Sequence, residues 1–269
     1  MISSVSERAS RANRLVGIQK IADHLLPLIG VLILFGLWHF VALSGWINPA
    51  LLPTPGATLT ELVRITFNGT LMSDCGATVA RTFQAFVIAA LIGVPLGVAM
   101  GSSIRVYRSF EFLIDFFRST PASALIPLFI LFFGIGEFNK IAIAAFSALL
   151  LILFNSAYGV MNAKRSRILA AQVMGANRFQ VFRDVLFWES LPQTFIGLRS
   201  GVSIALVIVI VAEMFIGTQL GLGKRIINAQ QVLNVKDMYS SILLTGILGY
   251  FLNVVFLVLE KKVIHWSGK

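Results

Sequence analysis

The chain has 269 residues, of which 57% are apolar and 13% charged, and a formal net charge of +10. Ordinary soluble domains carry about 25% charged residues; with a mean hydropathy of +0.85, a large soluble all-α core is set aside in favour of a membrane protein. The single cysteine, Cys75, excludes an internal disulfide and a cysteine-rich metal centre, and reads as a small buried hydrophobe near a helix start.

Crossing a hydrocarbon core of roughly 30 Å takes about 20 apolar residues per helix. Residues 1–24 form a basic, polar tail. Residues 25–43 are the first apolar run, longer than a signal-peptide core and followed by Trp46-Ile47-Asn48-Pro49 rather than a cleavage site, so a retained helix is expected. Residues 48–55 hold three prolines and read as an extended outer crossing. A short amphipathic stretch, 57–67, is expected to lie on the outer surface, and 25–68 form one unit with the first helix.

The core is expected over 69–262. Its first run, 76–101, carries Gly93, Gly97 and Gly101 every four residues, one face along which another helix can approach closely; Pro95 should bend this helix. The next run, 110–133, contains Pro121 and Pro127. Each removes a backbone donor and breaks the ladder, and a broken helix is tolerated where it faces protein or a cavity, so this span should be central. The turn 134–139 is short enough to make an antiparallel pair with the run 141–160. A polar segment, 162–190, leads to the run 195–216, a longer segment 217–239, a last run 240–259 and a tail, 263–269. Six transmembrane helices in an all-α polytopic membrane protein are expected.

With the N-terminus taken as cytoplasmic, inner segments carry fifteen Lys and Arg and outer segments five, while Arg81 and Arg199 lie within spans. This positive-inside bias puts both termini in the cytoplasm and leaves the +10 charge in no need of a nucleic-acid partner.

Within 162–190, Ser166 can cap a helix running to Met174, with Gly175 as its left-handed end, and a second helix can run over 177–187. A helix–glycine–helix elbow is a rigid knob suited to docking; a merely solvated loop is the bland alternative. Walker A requires G-x-x-x-x-G-K-[ST], but Gly223-Lys224 is followed by Arg225, and position 218 is Thr. His24, His39 and His265 are scattered without metal-ligand spacing, and His39 reads as a hydrogen-bonded packing residue. Intramembrane ionisable groups are functional candidates by default. Glu213 and Arg199 are about 21 Å apart along one helix and cannot pair along it; Arg199 is expected to snorkel. Asn155 and Ser156 either line a hydrated path or bond across helices. Glu111, Asp115 and Arg118 read as an ion-pair stripe. The candidate translocation path comprises Ser119, Thr120, Asn155, Ser156, Ser203 and Glu213.

The stretch Leu169-Ala170-Ala171-Gln172-Val173-Met174-Gly175-Ala176, with Leu191-Pro192 sixteen residues after Gly175, resembles the E-A-A-x-x-x-G…L-P coupling loop of type I ABC-importer permeases. Thr78-Val79-Ala80-Arg81-Thr82-Phe83, Gly93-Val94-Pro95-Leu96-Gly97, Arg118-Ser119-Thr120-Pro121, Gly197-Leu198-Arg199 and Ala212-Glu213 extend the likeness over about 48–260. The ensemble is similar to the nitrate/sulfonate/taurine/bicarbonate branch of that family. The resemblance implies the type I ABC-importer transmembrane-domain fold and a multi-pass subunit of a bacterial-type inner membrane. It implies a second copy of the permease in a homodimer, two cytoplasmic ATPase subunits and an outer substrate-binding protein. ATP and Mg would sit on the ATPase, with no cofactor or metal on this chain. The implied coupling residues are Ser166, Leu169, Ala170, Ala171, Gly175, Ala176, Asn177, Arg178, Leu191 and Pro192. Leu169 stands where the family has Glu; that acid would complete a capping box with Ser166. Competing readings are an ion-coupled secondary transporter, a non-transport assembly factor, and an ABC permease for a neutral or cationic pyrimidine vitamin precursor.

Overall fold

The computed structural model describes Leu26 and residues 28–264. The tail 1–24, with His24, and residues 265–269, with His265, lie outside the described residues. The described residues fall into two compact units that divide between Glu61 and Leu62. In the first, α1 (Leu28–Leu43) is followed by a crossing in which the Trp38 indole donates to the Pro53 carbonyl at 3.0 Å. α2 (Pro55–Phe67) starts on Thr54, whose hydroxyl accepts from the Ala57 amide at 3.3 Å, with Pro55 at the first helical position. His39 is exposed on α1 with no hydrogen-bond partner among the described residues, unlike the hydrogen-bonded packing residue expected; in this unit most of α1 is uncovered.

The second unit is built on α3 (Thr70–Gly101), α6 (Glu137–Met161) and α9 (Phe187–Phe215), with α11 (Val235–Val263) against them. α6 is the most buried of the long helices and α11 the least. Small residues make this possible. A Cβ at Gly97 would stand 2.4 Å from the Leu153 carbonyl oxygen, and one at Gly101 2.5 Å from that of Ala157. Gly93 is looser, at 3.2 Å from Ile152. The α9 side repeats the device: a Cβ at Gly197 would meet Asn155 at 2.6 Å, and one at Gly201 would meet Ile152 at 2.7 Å. Ile152 is thus gripped from both sides within a core of Ala85, Ala89, Ala148, Ala205 and Val209. Cys75 is half-buried and packs on the small cluster of Ile65, Leu71 and Leu222.

The described residues contain four helices long and apolar enough to cross a membrane, and a fifth crossing if one bent pair counts as a span. That pair corrects the single run expected over 110–133. α4 (Ile104–Ser119) and the segment Ala122–Phe133 meet at 93°; the segment comprises a 3₁₀ turn (Ala122–Leu125) and α5 (Ile126–Phe133). Pro121 marks the break. Pro127 does not break a helix, because it lies in the first turn of α5, where its missing N–H would have no partner anyway. A second correction concerns 177–187 and 195–216, which are not separate helices. α8 (Arg178–Val181), a π-helical segment (Phe182–Leu186) and α9 form one continuous helical rod, Arg178–Phe215.

Candidate functional site

At one end of the core, α7 (Arg165–Val173) and α8 form an elbow. α7 closes in a Schellman motif: the Ala176 amide donates to the Ala171 carbonyl at 3.0 Å and the Gly175 amide to that of Gln172 at 3.0 Å. Gly175 has φ +84°, a left-handed conformation in which only glycine is unstrained. Asn177 then caps α8 in a full box: its side chain accepts from the Gln180 amide at 2.9 Å, and the Gln180 side chain accepts from the Asn177 amide at 2.8 Å. Ser166 is not a cap. The cap position is Lys164, which makes no side-chain cap bond, and Ser166 is exposed within the first turn. A capping box with residue 169 is therefore not available to this helix. The carboxylate that ties down the start of α7 comes from Glu189 on α9, which pairs with Arg167 and accepts from the Lys164 amide at 3.5 Å. Glu189 was missed in the sequence because its target lies on another element.

Ala171 is buried in the elbow, whereas Leu169, Val173 (88% exposed), Met174 (81%) and Phe179 present apolar surface beside exposed Ala170 and Arg178. An apolar cluster on a polar protrusion is the pattern of an interaction surface. Leu191 and Pro192 are half-buried inside α9 and do not join the exposed cluster; a Cβ at Gly159 would meet the Ser190 carbonyl at 2.8 Å, so this part of α9 is seated on α6.

The helix break opens a cavity of about 580 Å³ among α4, the 3₁₀ turn, α6 and α9. Ser119 and Thr120 line it together with Arg118, Asp115 and Ser147. Ser203 and Arg199 line a neighbouring cavity of about 400 Å³ that shares Leu151 and Ile204 with the first. Arg199 does not merely snorkel: it faces Glu260 at 3.8 Å. Of the expected ion-pair stripe only Asp115–Arg118 forms, at 3.3 Å. Asn155 bonds across helices by accepting from the Gln193 amide group on α9 at 2.9 Å, and within its own helix it donates to the Leu151 carbonyl at 2.8 Å. Ser156 is fully buried beside Gly97; its hydroxyl has no partner among the described residues.

Glu213 lies apart from these cavities, fully buried at the other end of α9. Arg81 donates to it at 2.6 Å, Thr78 at 3.0 Å and the Gly223 amide at 2.9 Å. The same guanidinium reaches Glu137 on α6 at 2.5 Å and the Leu220 carbonyl at 2.8 Å. Lys140 completes the cluster with a 2.7 Å pair to Glu137, giving two acids and two bases with no net charge. The loop 216–221 is pressed onto it: a Cβ at Gly221 (φ +147°) would stand 2.5 Å from the Glu213 carboxyl carbon. A second set follows on α10 (Leu222–Gln231), where Arg225 joins Asp237 at 2.7 Å to Asp74 at 3.2 Å. Burial disfavours the Arg225 charge, but its two carboxylates outweigh that and hold its pKa above the ordinary value.

Comparison with known proteins agrees with this architecture. Residues 93–265 match the family described as the binding-protein-dependent transport system inner membrane component. The chain is 31% identical over 247 residues to the taurine transport system permease protein TauC of Escherichia coli, covering 90% of each chain. It is 25% identical to the putative aliphatic sulfonates transport permease protein SsuC of Bacillus subtilis, covering 88% of this chain and 85% of that one. It is also 25% identical to the nitrate import permease protein NrtB of Synechocystis, covering 90% of each. Inward-facing structures of the MetNI methionine ABC transporter share the fold, with a TM-score of 0.65 at 22% identity over 74% of this chain and 98% of that one.

Proposed function

The chain belongs to the family of binding-protein-dependent transport system inner membrane components, and from that premise we propose that it forms the pathway of an ATP-driven importer for a small oxyanion: nitrate, bicarbonate, or an alkyl sulfonate such as taurine. It is a multi-pass, non-catalytic ABC importer permease subunit of the taurine/sulfonate/nitrate-like branch, and ATPase and binding-protein partners follow from that membership. The observation that carries the cargo class is kinship over about 90% of the chain with permeases named for taurine, aliphatic sulfonates and nitrate, all of which bear an oxyanion group.

In this reading two copies face each other across the pathway, with six spans each and both termini cytoplasmic. The elbow at Gly175 docks on an ATPase subunit through Leu169, Val173, Met174 and Phe179, with Ala170, Ala176, Asn177 and Arg178 shaping it. ATP binding draws the ATPases together and rocks the permeases, so access alternates. An ion-coupled secondary transporter needs free intramembrane carboxylates, and Glu213 is already engaged by Arg81. The test is ATPase activity of the reconstituted complex. Stimulation is expected from the binding protein loaded with one of these anions. Stimulation only by a neutral or cationic solute, such as a pyrimidine vitamin precursor, would overturn the cargo class and leave the permease assignment standing.

A further inference from the structure

We propose that Arg118 and Arg199 are two successive anion-holding stations, with the cavity at the helix break as the first; this rests on the reading of the cargo as an oxyanion. The segment Ala122–Phe133 is about 20 Å long, shorter than a hydrocarbon core of roughly 30 Å. With the turn after Phe133 at one membrane surface, the break and Arg118 stand within the apolar depth. A cation there is costly, which makes it a functional candidate by default.

The state of the Arg118 guanidinium fits that function. A guanidinium carries five N–H donors in one plane. Among the described residues, that of Arg118 makes one hydrogen bond, to Asp115 at 3.3 Å. Its face lies over the Phe154 ring, 3.8 Å from the centroid. Stacking holds the plane while leaving the in-plane donors clear for a flat or tetrahedral oxyanion. The cavity beside it, at about 580 Å³, is of small-molecule size. Ser119 brings a hydroxyl to the lining, whereas the Thr120 hydroxyl donates to the Phe116 carbonyl at 2.9 Å; Phe146, Leu150 and Ile208 line an apolar wall that can accommodate an alkyl tail.

Arg199 lines the adjoining cavity beside Ser203, across Leu151 and Ile204, without the aromatic ring that Arg118 has. Each arginine has one carboxylate at its flank, Asp115 or Glu260. Partial neutralisation keeps each station weak, and two weak stations in series let an anion enter and also leave.

The experiment is thiol labelling of a Ser119→Cys variant in a Cys75→Ala background within the assembled transporter. Two probes of similar size are compared, the anionic sulfonatoethyl and the cationic trimethylammonioethyl methanethiosulfonates, each normalised to a free thiol. The anionic probe should react about tenfold faster. Arg118→Gln should remove that preference and Arg118→Lys should retain it. A preference unchanged by Arg118→Gln, or a Ser119→Cys thiol that neither probe reaches, overturns the proposal. The labelling ratio does not depend on what the binding protein carries, so its result is separate from the anion-stimulated ATPase measurement. In transport, Arg118→Gln and Arg199→Gln should each lower uptake at least about tenfold with co-purification of the ATPase intact; uptake within twofold of the unsubstituted complex would count against both stations.

Discussion

Arg81 on α3 donates to Glu213 on α9 at 2.6 Å while also holding Glu137 on α6 at 2.5 Å, so a single guanidinium ties together the three helices of the core. The partners are not equivalent. Glu213 is fully buried with Arg81 as its cation, whereas Glu137 is open to solvent. Arg81→Gln leaves an uncompensated buried carboxylate and should destabilise by about 3–5 kcal/mol. Glu213→Gln leaves Arg81 still paired with Glu137 and should cost less. Thermal unfolding in detergent gives the order; a larger loss for Glu213→Gln would contradict it.

The glycine seam makes a sharper contrast. Gly97→Ala sets a methyl 2.4 Å from the Leu153 carbonyl oxygen, so α3 and α6 must part, at a cost of about 1–3 kcal/mol. Gly76→Ala on the same helix meets nothing within 4 Å and should be neutral or stabilising by up to about 1 kcal/mol. Equal melting temperatures for the two variants would remove the packing argument.

At the elbow, nothing lies within 4 Å of a Cβ at Gly175, so a substitution there acts through the backbone alone. Gly175→Val should cost about 1–2 kcal/mol and uncouple ATP hydrolysis from transport. Gly175→Asn, which tolerates a positive φ, should remain coupled. Transport per ATP hydrolysed separates the two, and full transport by an assembled Gly175→Val complex is the adverse result.

Removing the α8 box gives a graded version of the same test. Asn177→Ala loses the bond from the Gln180 amide and should cost about 1 kcal/mol, with a smaller loss of coupling than Gly175→Val. Hydrogen exchange over 178–181 should rise while the α7 amides stay protected; unchanged exchange there would show that the box does not hold the elbow.

Topology is tested by cysteine accessibility. Cysteines at Asn68 and Asn234 should label from outside and one at Ser166 from inside, given an excess of Lys and Arg in the inner segments that persists when Arg118 is counted within the membrane. Labelling of Ser166→Cys from outside would invert the chain and detach the elbow from any cytoplasmic ATPase.

Much of this was legible from local pattern. The four-residue recurrence of Gly93, Gly97 and Gly101 marks a close approach, and Gly175 marks a helix end, because both depend on nearby backbone geometry. Pro121 marks the break, but the 93° angle comes from how α4 packs, which no local motif encodes. Ser166 looks like a cap by residue type; the helix starts one residue before it because Glu189 on another element ties down that start. The Arg81–Glu213 pair was missed because each residue was weighed on its own helix. Their depths carried a signal, since one lies in an early turn of a span and the other near the opposite end of an antiparallel span.

The uninterrupted rod Arg178–Phe215 has a mechanical consequence. Its 38 residues measure about 57 Å, with the Asn177 cap at one tip and Glu213 near the other. It is braced on α6 over several turns, where Gly159 meets Ser190 and where Gly197 and Gly201 meet Asn155 and Ile152. The π segment lies on the elbow side of this bracing and is where the shaft can flex, whereas Pro192 lies within it. Compliance is therefore concentrated at the elbow end, while the braced arm that carries Glu213 is the stiff piece.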